Sequence, residues 1–226
     1  VIGRARRRAV SILVLLAFMA SAAIVAEAAK KTVIVEVHGR ARYEGSKGKT
    51  IIEGGVTIQY DDTVIVAASA VMDNAAETAK LSGGVTLTQQ DVTVTAREMD
   101  VDLKKDSAEV RGNVKLEKRE EQVEKDESGK PRISIVTVTC DTLNISTKTQ
   151  NFAARGSVLI TKDAQKAQAQ KADYDNAQKE LVLEGSVFIE DEGDKSIRCD
   201  RATLYTDKEL VEAEGQPVVI TFEVEE

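Results

Sequence analysis

Two cysteines, one histidine and a scatter of carboxylates are the residues of this chain whose types could carry chemistry. A cysteine pair can form a disulfide or join a metal site. A histidine with a serine and an acid can activate a nucleophile, and two facing carboxylates can share acid and base work. Spacing argues against each. Cys140 and Cys199 occupy the same position in a sequence repeat, two copies apart. On sheet geometry that is about four strands or 19 Å, while a disulfide spans about 7 Å between Cα atoms. They read as small buried packing residues. His38 is the only histidine, near the N-terminal edge, and nothing places a serine beside it. Asp73, Asp102, Asp175 and Glu184 recur with the repeat, which suits turns and wet faces better than a single acid–base pair. The expectation is a chain that is not an enzyme, with no catalytic residue, no metal and no cofactor.

The elements that would position any such residue are therefore the informative feature. Of 226 residues, 42% are hydrophobic but only 4% are aromatic, and Trp is absent. Val, Ile, Leu, Ala and Thr must do the packing, and the β-branched members favour strands. Arg4, Arg6, Arg7 and Arg8 precede an apolar run from Ala9 to Ala26, followed by Ala26-Glu27-Ala28. That order matches a cleaved export signal over residues 1–28, leaving 29–226 as one β-repeat domain. An uncleaved membrane anchor over 9–26 is the alternative. Removing 1–28 takes away four arginines and Glu27, so the formal charge moves from −7 to −10. Such a surface repels phosphate backbones, which excludes a nucleic-acid role.

A repeat runs through the rest. Gly54-Gly55-Val56-Thr57-Ile58, Gly83-Gly84-Val85-Thr86-Leu87 and Gly112-Asn113-Val114-Lys115-Leu116 share one pattern. Gly156-Ser157-Val158-Leu159-Ile160 and Gly185-Ser186-Val187-Phe188-Ile189 continue it, and Gly215-Gln216-Pro217-Val218-Val219-Ile220 is a looser last copy. The glycines are 29, 29, 44, 29 and 30 residues apart, the long interval holding a charged insertion at 117–131. Apolar positions alternate with polar ones at a spacing of two, the strand period. Polar gaps between them are short enough for hairpin turns and too short for parallel crossovers. The expected fold is all-β: one antiparallel meander of about 12 strands.

Once per repeat the alternation slips, as at Ala67/Ala70, Ala96/Met99, Cys140/Leu143, Ala169/Ala172 and Cys199/Ala202. A β-bulge does this. Parity puts the repeating glycine on the apolar face beside the slip, where Gly marks a bend. Bulge and glycine align across every strand, so the sheet should fold into a V or roll with its apolar face inside. No helix-period segment is available to cover that face. Two readings stay open: an interior filled by its own side chains, as in an exported structural scaffold, or one that receives a ligand.

The Gly-(Asn/Ser/Gly)-Val-x-(Ile/Leu) repeat, with Ala-x-x-Ala and an Asp-rich turn between copies, resembles the OstA-like (LptA-type) family of periplasmic lipopolysaccharide-transport bridge proteins. The likeness covers roughly residues 33–222. It implies a V-shaped or rolled β-jellyroll-like sheet in the periplasm, an apolar groove shielding lipopolysaccharide acyl chains on the way to the outer membrane, and end-to-end assembly. The groove-lining residues expected on this reading are Val56, Ile58, Val85, Leu87, Val114, Leu116, Val158, Ile160, Val187 and Ile189. The opposite set, Met72, Val101, Ile145 and Leu204, applies if the mouth lies at the other strand ends. The expected partners are lipopolysaccharide or a similar glycolipid, a second copy, and OstA-like proteins of the inner and outer membranes. These would pair through bare edges at about 33–43 and 210–222. If residues 9–26 stay attached, the membrane-anchored partner of the same transport system becomes the assignment.

Overall fold

The computed structural model describes residues 33–60, 62–125, 131–146, 148–191, 195–208 and 210–222. The segment read as an export signal and the tip of the charged insertion, 126–130, lie outside the described residues. Among the described residues there is no helix, and the strands form one antiparallel sheet. In chain order they are β1 (Val33–Val37), β2 (Arg40–Tyr43), β3 (Lys49–Tyr60), β4 (Thr63–Asp73), β5 (Thr78–Gln89), β6 (Val92–Asp102) and β7 (Ser107–Lys125). Then follow β8 (Pro131–Ser146), β9 (Phe152–Lys162), β10 (Gln165–Asp175), β11 (Glu180–Asp191), β12 (Lys195–Tyr205), β13 (Leu210–Glu214) and β14 (Val219–Thr221). Each pairs with its sequence neighbour, except that β1 and β2 both lie on β3, and β13 and β14 both lie on β12. The two outermost strands of the meander are each broken at the crease, at His38-Gly39 and at Gly215–Val218. That raises about 12 expected strands to fourteen without changing the topology. The sheet does not close into a barrel, since β1 and β13 end the order as separate edges.

The turns explain the spacing of 29. Asp73 Oδ1 accepts the amides of Ala75 and Ala76 at 3.1 and 2.8 Å. Asp102 does the same for Lys104 and Lys105, and Asp175 for Ala177 and Gln178. Each turn then closes through a left-handed residue, Glu77, Asp106 or Lys179. A carboxylate accepting two amides holds the chain in the turn before the next strand begins. Successive turns are also bonded to each other, from Asn74 N to Gly48 O, Leu103 N to Glu77 O and Thr206 N to Lys179 O. The insertion enters as extra strand: β7 and β8 outrun their neighbours, and pairing continues to Lys125 against Pro131.

At the crease two residues on the glycine strand oppose one on its neighbour. Gly83-Gly84 face Ala68 on one side and Arg97 on the other, and Gly112-Asn113 face Asp141. Both residues of each pair are left-handed: φ is +82° and +89° at Gly83 and Gly84, and +81° and +53° at Gly112 and Asn113. This corrects the expected parity. The missing Cβ of the glycine does not aim at the apolar interior. It aims at the exposed bulge residue of the preceding strand: Ala68 over Gly83, Arg97 over Gly112, Asp141 over Gly156 and Gln170 over Gly185. The left-handed pair rotates the Cα–Cβ direction, which a count by twos cannot capture.

Candidate functional site

Register divides the inward face into two arms. In the upper arm, between the crease and the turns near 62, 90 and 163, one row nearest the crease runs Val56, Ala67, Val85, Ala96, Val114, Cys140, Val158, Ala169, Val187 and Cys199. The next row runs Ile58, Ile65, Leu87, Val94, Leu116, Val138, Ile160, Ala167, Ile189 and Ile197. In the lower arm, between the crease and the aspartate turns, Ile52, Leu81, Met99, Leu143 and Leu183 stand in the row nearest the crease. One side of a single layer cannot leave water unaided, yet Val56, Val110, Leu143, Ile160 and Leu204 are all 0% exposed. The arms therefore cover one another.

All ten expected lining residues fall in the two upper rows, and nine are buried; Leu87 is only half-buried. They form one contiguous core with the lower arm. The interior described here is thus filled by its own side chains. In the opposite set, Leu204 is buried, while Met72, Val101 and Ile145 are half-buried at the lower rim. Two open concavities lie beside the aspartate turns and are lined largely by outer-face residues. One, of about 510 Å³, is lined by Asn144, Ala153, Asp173 and Val182 among others, and the other, of about 370 Å³, by Lys80, Asp100, Glu109 and Asn144. At the inner rim Phe152 and Tyr174 stack with ring centroids 5.4 Å apart.

Residues weighed for chemistry take structural places. His38 Nε2 lies 3.0 Å from Thr57 Oγ1, and its side chain rests over Gly55. Glu184 is on the outer face near Lys171 and Arg201, at 3.9 and 3.7 Å. On the same face Arg111 bridges Asp100 and Glu109, which raises its already high pKa. Among the described residues no cluster of three or more His, Cys, Asp or Glu could hold a metal ion. Cys140 and Cys199 are free and buried, on β8 and β12. Burial pushes the Cys140 thiol up to about 11 and raises that of Cys199 as well. A thiol is unreactive when protonated, so iodoacetamide at pH 7.5 should leave both unmodified in the native chain and label both in urea. Because the folded value of Cys140 lies above the free-thiol value of about 8.5, its contribution to stability is complete below that pH. It is lost as pH rises through about 11.

Sequence reasoning missed one feature of the interior. Lys118, Lys162 and Asp191 stand six residues after Gly112, Gly156 and Gly185, in a stretch that reads as a polar turn. They share parity with the two apolar rows and all three are buried. That parity was the available signal.

A creased, single-sheet β-jellyroll with two free edges and a continuous apolar interior is the class of protein that these features define. The family described as LptA/(LptD N-terminal domain) LPS transport protein matches residues 64–210, and the chain belongs to it. Among solved structures, one similar chain is LptH, the LptA homologous periplasmic component of the lipopolysaccharide transport device from Pseudomonas aeruginosa. It is 12% identical, with a TM-score of 0.44, over 72% of this chain and 95% of that one. No curated protein matches at a significant level. Among the described residues no helix is long and apolar enough to cross a membrane.

Proposed function

We propose that this chain is a periplasmic, non-enzymatic carrier that shields the acyl chains of lipopolysaccharide, or of a similar glycolipid, during transfer to the outer membrane. The observation that carries this is the unbroken row from Ile58 through Leu87, Leu116 and Ile160 to Ile189 and Ile197, an apolar track crossing ten paired strands. Since that track is packed against the lower arm, the arms must part about the glycine crease for a lipid to enter. Each acyl methylene that replaces a side-chain contact recovers about 0.8 kcal/mol of burial. The exchange is apolar for apolar, so its net free energy is small in either direction, as passage from one carrier to the next requires.

The two edges supply a means of passage. Val33 and Ile34 on β1 and Tyr43 on β2 are exposed at one edge; Leu210, Val219, Ile220 and Phe222 are exposed at the other. An edge strand with bare amides pairs readily with another strand, and unlike edges propagate head to tail. The partners proposed are a second copy and OstA-like proteins of either membrane. Ile220→Lys with Phe222→Lys is expected to shift the mass measured by light scattering at high concentration towards the monomer, leaving the unfolding midpoint unchanged.

The buried state of Val56, Val85, Val158 and Ile160 favours one other reading, an exported scaffold with a permanently filled core. Photo-crosslinking in cells separates the two. A crosslinker at Leu87 or Leu116 is expected to capture labelled lipopolysaccharide, whereas one at Thr86 on the outer face is not. Absence of capture from both inward positions would leave the scaffold.

A further inference from the structure

Among the described residues four polar or charged residues are buried: Lys118, Ser134, Lys162 and Asp191. All four lie at one place. Val92 pairs with Lys118, Lys118 with Val136, and Val136 with Lys162; Lys162 pairs with Gln165, and Asp191 with Lys195. This is the outermost inward row of the upper arm, one step beyond the apolar track, and Ser134 stands just above it on β8. The facing rim of the lower arm is apolar, carrying Val101, Ile145, Phe152 and Leu204. The interior is therefore greasy on one lip and polar on the other.

The polar lip is basic. It holds Lys118, Lys162 and Lys195 against Asp163 and Asp191, an excess of one positive charge within a chain of net charge −7. Val92 and Val136, 3% and 0% exposed in the same row, show that apolar residues fit there. Lysines beside them carry a desolvation penalty that packing alone does not require. The lip is internally satisfied: Ser134 Oγ donates to Asp163 Oδ2 at 2.8 Å, Gln165 Nε2 donates to Asp191 Oδ1 at 2.9 Å, and among the described residues no buried side-chain nitrogen or oxygen lacks a partner. Asp163 and Asp191 thus accept from the neutral side chains of Ser134 and Gln165. A phosphate monoester offers three acceptor oxygens and more charge, and so competes with a carboxylate for ammonium donors.

We propose that the Lys118–Lys162–Lys195 lip is the headgroup subsite, binding a phosphate of the phosphorylated sugar whose acyl chains enter the apolar rows below. This rests on the lipid-carrier reading and adds which side of the mouth the head occupies. Lys118 and Lys162 are two strands apart and Lys162 and Lys195 three, roughly 10 and 14 Å, so the lip engages a head bearing separated anionic groups better than a point anion.

The test is displacement of a fluorescent fatty-acyl probe from the purified chain by lipid A and by the same lipid A stripped of phosphate. The phosphorylated form is expected to displace at about tenfold lower concentration, the order of one charge-assisted contact. Lys118→Gln with Lys162→Gln should erase that preference while leaving the curve of the phosphate-free lipid in place. Lys195→Gln, at a half-buried position, should reduce it in part and serves if the double variant does not fold. Equal displacement by both lipids, or a preference surviving the lysine variants, overturns the subsite while the carrier stands. A probe that does not bind at all overturns the carrier itself. Inorganic phosphate at millimolar concentration is expected to leave the preference intact; if it abolishes it, the lip is a free-anion site and the headgroup assignment falls.

Discussion

Replacing Gly83 with Val is expected to lower the unfolding free energy by roughly 3 kcal/mol or more, the sum of a left-handed backbone penalty and an overpacking penalty. Gly83 has φ +82°, and a Cβ built there lies 2.6 Å from the Ala68 Cβ. Ala68 is short and fixed to its strand, so neither partner can swing away. A β-branched residue at this φ adds a genuine conformational outlier. The effect divides cleanly. Gly84→Ala, at φ +89° with open space around its Cβ, should show the backbone penalty alone, about 1 kcal/mol. Ala68→Gly combined with Gly83→Ala should relieve the collision and approach the same value. Urea midpoints at constant slope check all three. A harmless Gly83→Val would mean that the crease is not a stereochemical requirement.

Crease, turns and strand period were legible because each is written locally. Asp73, Asp102 and Asp175 announce turns through their own side chains, and the slip at Ala96/Met99 shows directly in the apolar spacing. What the repeat does with two consecutive left-handed residues was not legible, because reading a strand by twos assumes an extended backbone at every step. The glycine was accordingly expected on the inner face, and the structure sets it beneath Ala68, Arg97, Asp141 or Gln170 on the outer one. The ten residues expected to line a groove lie in the inward rows, yet their mutual burial depends on how far the arms close, a tertiary property with no periodic signature. Lys118 and Lys162 were hidden for the opposite reason. Their polarity suggested a turn, while the strands of this hairpin family run one inward position further, so the same residues end as a buried row.

Ile160→Ala is expected to be the most informative interior change, because it separates a carrier from a filled scaffold by the sign of a ligand effect. Ile160 is 0% exposed on β9, midway along the apolar track. Truncation removes contacts and leaves a void, and should destabilise the lipid-free chain by about 2–5 kcal/mol. A void lined by Val, Ile and Leu stays dry and accepts apolar ligands. If acyl chains occupy this track, saturating lipid fills the space that the side chain vacated. A ligand present at about 100 times its dissociation constant stabilises the folded state by about 2.7 kcal/mol, and the variant should gain more than the wild type, since the wild type must first give up its own packing. The difference in melting temperature between the two proteins is therefore expected to narrow when lipid is added. In a scaffold whose core never opens, lipid changes neither melting temperature and the difference stays as it was. In a carrier whose lipid rides only on the outer surface, both rise equally. A gap that shrinks places the acyl chain against position 160, and with it the parting of the arms about the crease.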